Sequence, residues 1–170
     1  LREFVRSGSN KLVLDLRGNP GGYLEAAVDM ASWFLPAGDV VVRESYRDGR
    51  EELVHRSHGY DIFPDSLKMA ILIDKGSASA SEILAGALKE NGIAALVGDT
   101  SFGKGSVQEL VKITPDSSLK VTIAQWLTPN GNSITLKGIE PDIKVIPTEA
   151  QVKTGRDVQF NAAINYLLNK

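Results

Sequence analysis

The sequence of 170 residues lacks cysteine altogether, has two histidines and contains only 6% aromatic residues. Without cysteine, the chain cannot form disulfides, zinc–thiolate sites or a thiol nucleophile. Lysine and arginine form no run, and the formal net charge of −2 argues against a nucleic-acid partner. No apolar stretch approaches the ~20 residues that a membrane-spanning helix needs. The remaining composition, 42% hydrophobic and 24% charged, predicts a single globular domain with its own core.

Short apolar strands alternate with amphipathic helices along the chain, which indicates an α/β fold. Helices are predicted where apolar residues recur at helical spacing, over residues 24–35, 83–88 and 160–168. Asp48 and Gly49 supply the turn of a β-hairpin. The predicted strands cover residues 11–16, 40–42, 53–54, 69–73, 93–97, 107–113, 119–125, 134–136 and 143–146.

A cluster of small and hydroxyl residues, G-S-A-S-A-S-E at residues 76–82, joins a predicted buried strand to a helix. Ser79 and Glu82 have the spacing of a capping box, so the serine has a purely structural interpretation as a helix cap. Its small neighbours, however, would let a substrate backbone approach closely. The N–H groups at the start of a helix, such as that of Ala80, also suit a developing oxyanion. Ser79 is therefore a candidate nucleophile, although the segment lacks the G-x-S-x-G spacing of an α/β-hydrolase.

A single lysine, Lys104, stands between two glycines in S-F-G-K-G-S-V-Q, residues 101–108. From Gly98 onward the sequence begins like a phosphate-binding loop, G-x-x-x-x-G-K. Gly105 then stands where that motif needs Ser or Thr for magnesium, and a strand pattern follows instead of a helix, so nucleotide binding is disfavoured. The structural alternative is a solvated lysine in a glycine turn. Gln108 can likewise be an ordinary polar residue at a strand edge.

A serine becomes a nucleophile only when a base takes its proton, and a desolvated lysine can be that base. The other candidate bases, His55 and His58, stand three residues apart in a polar loop with no motif around them. A metal site would need the two histidines on a helix and a carboxylate as the third ligand. Neither is evident, so metal binding by these histidines is disfavoured. The residues thus favour a Ser79–Lys104 pair, with a Ser–His–Asp triad that uses one of the histidines as an open alternative without a supporting motif. They predict neither a metal nor another cofactor.

Three long motifs in sequence order closely resemble the carboxy-terminal processing proteases, also called tail-specific proteases. The resemblance extends to about Ile146. It further implies that the helical tail of residues 150–170 corresponds to the C-terminal tail of the family. It implies a Clp protease/crotonase-like core built from β-β-α units. The motifs are L-D-L-R-G-N-P-G-G at residues 14–22, G-S-A-S-A-S-E-I at 76–83 and F-G-K-G-S-V-Q at 102–108, with T-P-N-G at 128–131 and G-I-E-P-D at 138–142 as further signatures.

The resemblance also implies a role for each matching residue. Ser79 corresponds to the nucleophile, with Ser77 and Ser81 as supporting residues. Lys104 corresponds to the general base and Gln108 to the residue that positions it.

The implied oxyanion hole has two backbone donors. One is the N–H of Ala80, directly after the nucleophile. The other comes from the glycine pair of the R-G-N-P-G-G turn, either Gly21 or Gly22, of which Gly22 is preferred.

The chain begins at Leu1 rather than Met, and we expect residues 1–170 to be one peptidase core domain taken from a longer protein. The resemblance implies a peptide-binding PDZ domain and a helical segment upstream, neither of which is in the chain. It further implies protein or peptide substrates with an exposed C-terminus and an extracytoplasmic location, and it is compatible with a homo-oligomer. The glycine-rich lysine loop is expected to be easily displaced, leaving the isolated core weakly active. The alternative function is a non-catalytic ligand-binding module of the same fold, for which Lys104 would not be needed.

Overall fold

The computed structural model describes residues 2–169. Its helices are α1 (Arg2–Ser7), α2 (Leu24–Ser32), α3 (Ala80–Glu90), α4 (Glu149–Lys153) and α5 (Val158–Leu168). Its strands are β1 (Lys11–Asp15), β2 (Val40–Tyr46), β3 (Leu53–Arg56), β4 (Lys68–Ile73), β5 (Ala94–Gly98), β6 (Ser106–Thr114), β7 (Ser117–Leu127) and β8 (Ile143–Lys144).

A parallel sheet with the strand order β1-β4-β5-β8 forms the centre of the domain. Residues 69–73 of β4 are all buried, as expected for a parallel strand that is covered on both faces. Because side chains alternate along a strand, Ile71 and Ile73 face the core that contains α2 and α3, whereas Leu72 faces α5. The carboxyl ends of β1 and β4 lead into the turn at residues 16–23 and the serine cluster, so both segments meet at one edge of the sheet.

An antiparallel sheet with the strand order β3-β2-β7-β6 lies next to the parallel one. The predicted hairpin around Asp48 and Gly49 joins β2 and β3 and is confirmed. Strands β6 and β7 form a second, longer hairpin that begins directly after the lysine loop. The large apolar side chains of Leu110, Ile113 and Leu119 are exposed along this hairpin.

The α/β prediction is confirmed, with local corrections. Residues 134–136 do not form the predicted strand, because the chain turns at residues 135–137: Leu136 has φ +61°, and its N–H donates to Gly103 O in the lysine loop. The last predicted strand is shorter, ending at Lys144. Helix α1 was not predicted, since it is too short to show a clear apolar period, whereas α4 and α5 both fall in the predicted helical tail. No helix in the described part of the chain is long and apolar enough to cross a membrane.

Candidate active site

Ser79 occupies the corner between β4 and α3, immediately before the first helical residue. Its backbone has φ 57° and ψ −120°, a conformation that non-glycine residues rarely adopt and that is often retained at functional sites. The Ser79 side chain makes no capping hydrogen bond, whereas Glu82 Oε2 accepts the Ser79 N–H at 2.8 Å. The predicted capping box at Ser79 and Glu82 is therefore confirmed, with its hydrogen bond made by the Glu82 carboxylate.

The R-G-N-P-G-G turn lies directly against this corner through Gly21. That residue has φ +90°, and a Cβ on it would overlap Ala78 O and lie 2.7 Å from Ala80 N. Only glycine fits such a backbone at so close an approach. The turn and the start of α3 are thus packed backbone to backbone at Ser79.

Two backbone N–H groups near this corner have no acceptor within the described residues. Among residues 2–169, neither the Ala80 N–H nor the Gly22 N–H donates a hydrogen bond, while the Gly21 N–H donates to Asn19 Oδ1 at 2.9 Å. An oxyanion hole needs donors that are not already engaged. Of the two glycine N–H groups of the turn, that of Gly22 is unengaged within the described residues and that of Gly21 is not.

The lysine loop reaches the same corner through its backbone. Glu82 Oε2, which accepts the Ser79 N–H, also accepts the Lys104 N–H at 2.9 Å. The side chains are not joined in the same way: Lys104 is exposed, and within the described residues no hydrogen bond or ion pair involves Ser79 Oγ or Lys104 Nζ. The structure thus brings the two backbones together and leaves the two reactive atoms unpaired.

The lysine loop is held in place by backbone hydrogen bonds and by close packing of its glycines. Phe102 N–H donates to Ser77 O at 2.9 Å, and Gly105 O accepts from Trp126 N–H at 2.7 Å. Gly103 has φ +87°, and a Cβ there would lie 3.0 Å from Gly138 N. The glycines therefore serve close packing rather than looseness.

Gln108 lies on β6 with an exposed side chain, next to a register irregularity between Val107 and Gln108. No hydrogen bond of its side chain is present in the described part of the chain. The loop opens into strand β6 and not into a helix, so the phosphate-binding alternative is wrong.

The turn is tied to the C-terminal helix by an arginine fork. Arg17 pairs with Asp15 and with Asp157, the residue before α5, at 2.7 Å each. Hydrogen bonds from the guanidinium hold the pKa of Asp15 and that of Asp157 below the usual value of the carboxyl group. The ion pairs therefore stabilise the folded protein fully at a pH above the pKa that these carboxyl groups have in the unfolded chain. This stabilisation is lost as the pH falls through their lowered pKa values in the folded protein.

The histidines take no part in this site. His55 Nε2 lies 3.5 Å from Glu44 Oε2, and His58 Nε2 lies 3.5 Å from Asp29 Oδ1. Each is thus beside its own carboxylate, and the described residues contain no group of three or more potential metal ligands.

An apolar cavity of about 160 Å³ opens beside the two free N–H groups. Its wall is formed by the turn on one side and by α2 and α3 on the other. The lining residues include Leu16, Gly21, Gly22, Ala26, Ala27, Met30, Ala80 and Leu84.

The three motifs therefore converge on one corner of the fold, and residues 1–145 match the profile described as Peptidase family S41. The chain belongs to that family. The resemblance to carboxy-terminal processing proteases is confirmed by S41 relatives of that name. Carboxy-terminal processing protease CtpB of Bacillus subtilis is 44% identical over 150 residues, covering 85% of this chain and 30% of that protein. A carboxyl-terminal-processing protease of Synechocystis is 36% identical over 170 residues, covering 98% of this chain and 39% of that protein.

Solved S41-like structures have the same fold. The photosystem II D1 C-terminal processing protease superposes with a TM-score of 0.77 at 34% identity, covering 88% of this chain and 39% of that one. A structure described as a peptidase from Parabacteroides merdae superposes with a TM-score of 0.80 at 22% identity, which bears on the fold alone. The Clp protease/crotonase-like prediction is confirmed. The chain spans 30–39% of the length of the two curated relatives above.

Two polar residues of this S41 site were not predicted in their structural roles. Glu82 was identified only as a helix cap, through its three-residue spacing from Ser79. Asn19 was passed over within its turn, although its side chain engages the Gly21 N–H and its carbonyl accepts the Ala78 N–H at 3.0 Å. The contacts to Gly21 and Ala78 that define Asn19's role become visible only in the folded chain.

Proposed function

We propose that this chain is the catalytic core of a serine endopeptidase that processes protein substrates near their C-termini. The single observation that carries the proposal is Ser79, which stands on a strained corner with a free hydroxyl and two unengaged backbone N–H groups beside it. The names of the S41 relatives supply the reaction class and the position of cleavage.

The proposed mechanism uses a Ser79–Lys104 dyad. Neutral Lys104 takes the proton of Ser79, Oγ attacks the scissile carbonyl, and the N–H groups of Ala80 and Gly22 hold the oxyanion. Lys104 then protonates the leaving amine, and water hydrolyses the acyl-enzyme. Gln108 would position the lysine during these steps.

The exposed position of Lys104 adds one requirement: its side chain must turn towards Ser79 and lose water before it can act as a base. We propose that parts of the longer protein, a PDZ domain among them, together with the bound substrate cover this edge and shift the population towards the paired arrangement. The natural substrates would be proteins with an accessible C-terminus, in an extracytoplasmic compartment.

A serine-directed fluorophosphonate is expected to label the full-length protein at Ser79 and to stop cleavage of an unfolded protein substrate. Mass spectrometry of the labelled peptide identifies the site. EDTA is expected to change neither labelling nor cleavage, because the mechanism uses no metal. Labelling at another residue, or loss of cleavage in EDTA, would refute the Ser79 assignment.

The size and the lining of the cavity beside Ala80 predict which side chains the enzyme prefers on the acyl side of the cleaved bond. The cavity's volume of about 160 Å³ and its mostly apolar wall, to which Asn19, Tyr23 and Ser81 also contribute, suit a small or medium apolar side chain. In a peptide series differing at that one position, Ala, Val and Leu are expected to give kcat/KM values at least ~10-fold above Asp, Lys and Trp. Ala26→Leu, which narrows the cavity, should shift the preference towards Ala. Equal kcat/KM values across the peptide series, or a higher relative kcat/KM for Trp in the Ala26→Leu variant, would show that the cavity does not receive this side chain.

A further inference from the structure

Glu82 is the most deeply buried ionisable residue near the proposed dyad, with 0% of its surface exposed. Its carboxylate accepts four hydrogen bonds. Oε2 takes the N–H groups of Ser79 (2.8 Å) and Lys104 (2.9 Å), and Oε1 takes Gly103 N–H and Ser101 Oγ, both at 2.6 Å. No cationic side chain pairs with it among the ion pairs of residues 2–169.

A helix cap does not need this arrangement. A capping box uses one hydrogen bond from the helix-start N–H to the carboxylate, and here that bond is the one from Ser79. The other three donors come from residues 101–104, which lie on a loop beyond β5. Burying a carboxylate is costly unless it is fully hydrogen-bonded, so these three donors are needed to retain Glu82 in the core.

The consequence is geometric. Ser79 and Lys104 belong to segments that share no strand pairing, and their two N–H groups donate to the same oxygen atom, Glu82 Oε2. One direct backbone hydrogen bond, from Phe102 N–H to Ser77 O, also joins the two segments, but it involves neither Ser79 nor Lys104. A backbone shift at either Ser79 or Lys104 would break a bond to Glu82 Oε2. Ser101 reinforces the contact, because its Oγ donates to Glu82 and accepts the Ile139 N–H at 2.7 Å.

We propose that Glu82 is a positioning residue that sets the separation and orientation of Ser79 and Lys104. This inference rests on the proposed function, and it assigns to Glu82 a role in turnover beyond the stability of α3. The carboxylate anchors the loop backbone, so that only the lysine side chain has to move for the dyad to form.

The test is Glu82→Gln in the full-length protein. The glutamine keeps the shape of the side chain, but its NH₂ group must face at least one N–H donor that the carboxylate accepted. A displacement of about 1 Å in a catalytic group can cost ~100-fold in rate, so kcat is expected to fall on that order while KM changes less than about twofold.

A matched control lies at the other end of the same helix. Glu90 also accepts three hydrogen bonds from one loop, at residues 128–132. The donors are Thr128 Oγ1 and Asn130 N–H, both at 2.7 Å, and Asn132 Nδ2 at 2.9 Å. Glu90→Gln should lower the melting temperature about as much as Glu82→Gln does, with little change in kcat. Equal loss of kcat in the two variants, or an effect of Glu82→Gln on KM alone, would refute the positioning role.

Two further measurements cover the case in which Glu82→Gln does not fold. Ser101→Ala removes one donor to Glu82 and should lower kcat several-fold at unchanged KM. In the unmodified protein, the amides of Gly103 and Lys104 should exchange slowly with solvent although the Lys104 side chain is exposed. Unchanged kcat in Ser101→Ala together with fast exchange would refute the proposal. Retained cleavage in Ser79→Ala would instead refute the proposed function itself, so the two failures are distinguishable.

Discussion

Ser79→Ala and Lys104→Ala are each expected to lower the kcat of the full-length protein by a factor on the order of 10⁴ or more. In the proposed mechanism, the first change removes the atom that forms the acyl-enzyme, and the second removes the base that activates it. The double variant should be little worse than either single variant, because members of a dyad act as a unit. Steady-state kinetics on one unfolded substrate, with all three variants, makes the comparison.

Both single variants should stay folded. Ser79 Oγ makes no capping hydrogen bond and Lys104 is exposed, so the expected loss of stability is below about 1 kcal/mol for each. Thermal melts provide that control. Substantial cleavage by folded Lys104→Ala would rule out lysine as the base, and multiplicative losses in the double variant would show that the two residues act in separate steps.

Gly21→Ala is expected to be the most damaging change outside the dyad. A Cβ at this position would overlap Ala78 O and crowd Ala80 N, which pushes the turn away from the nucleophile and displaces Gly22. Loss of one oxyanion donor typically costs 10²- to 10³-fold in kcat, and a fall of that order is expected here. The melting temperature should fall as well, since two packed backbones must separate.

Gly18→Ala in the same turn is the matched control. Gly18 also has a positive φ, +63°, but a Cβ on it would meet nothing within 4 Å. The Gly18→Ala substitution should therefore lower the free energy of unfolding by only ~1 kcal/mol, because alanine disfavours the left-handed backbone, and it should leave kcat nearly unchanged. If Gly18→Ala lowered kcat as much as Gly21→Ala, backbone strain in the turn, rather than contact with the nucleophile, would explain both results.

Local patterns predicted most of the elements, and the failures share a physical cause. The buried run of residues 69–73 and the turn at Asp48 and Gly49 were correctly interpreted because their signals lie within a few residues. Residues 134–136 are as apolar as a strand, yet they form no strand, because the Leu136 N–H is used by the lysine loop. That partner lies 33 positions earlier, where no local pattern can indicate it.

The sequence by itself determined the family, the α/β class and the motifs that carry Ser79 and Lys104, since each depends on neighbouring residue types. It also placed Glu82 three residues after Ser79, which was enough to predict a helix cap. Only the tertiary structure decided that this carboxylate also holds the Lys104 backbone, and that the Gly21 N–H is engaged while the Gly22 N–H is free. Hydrogen bonds between segments form where the folded backbone brings donors and acceptors within about 3 Å, and that proximity comes from the packing of the sheet and helices, not from spacing along the chain.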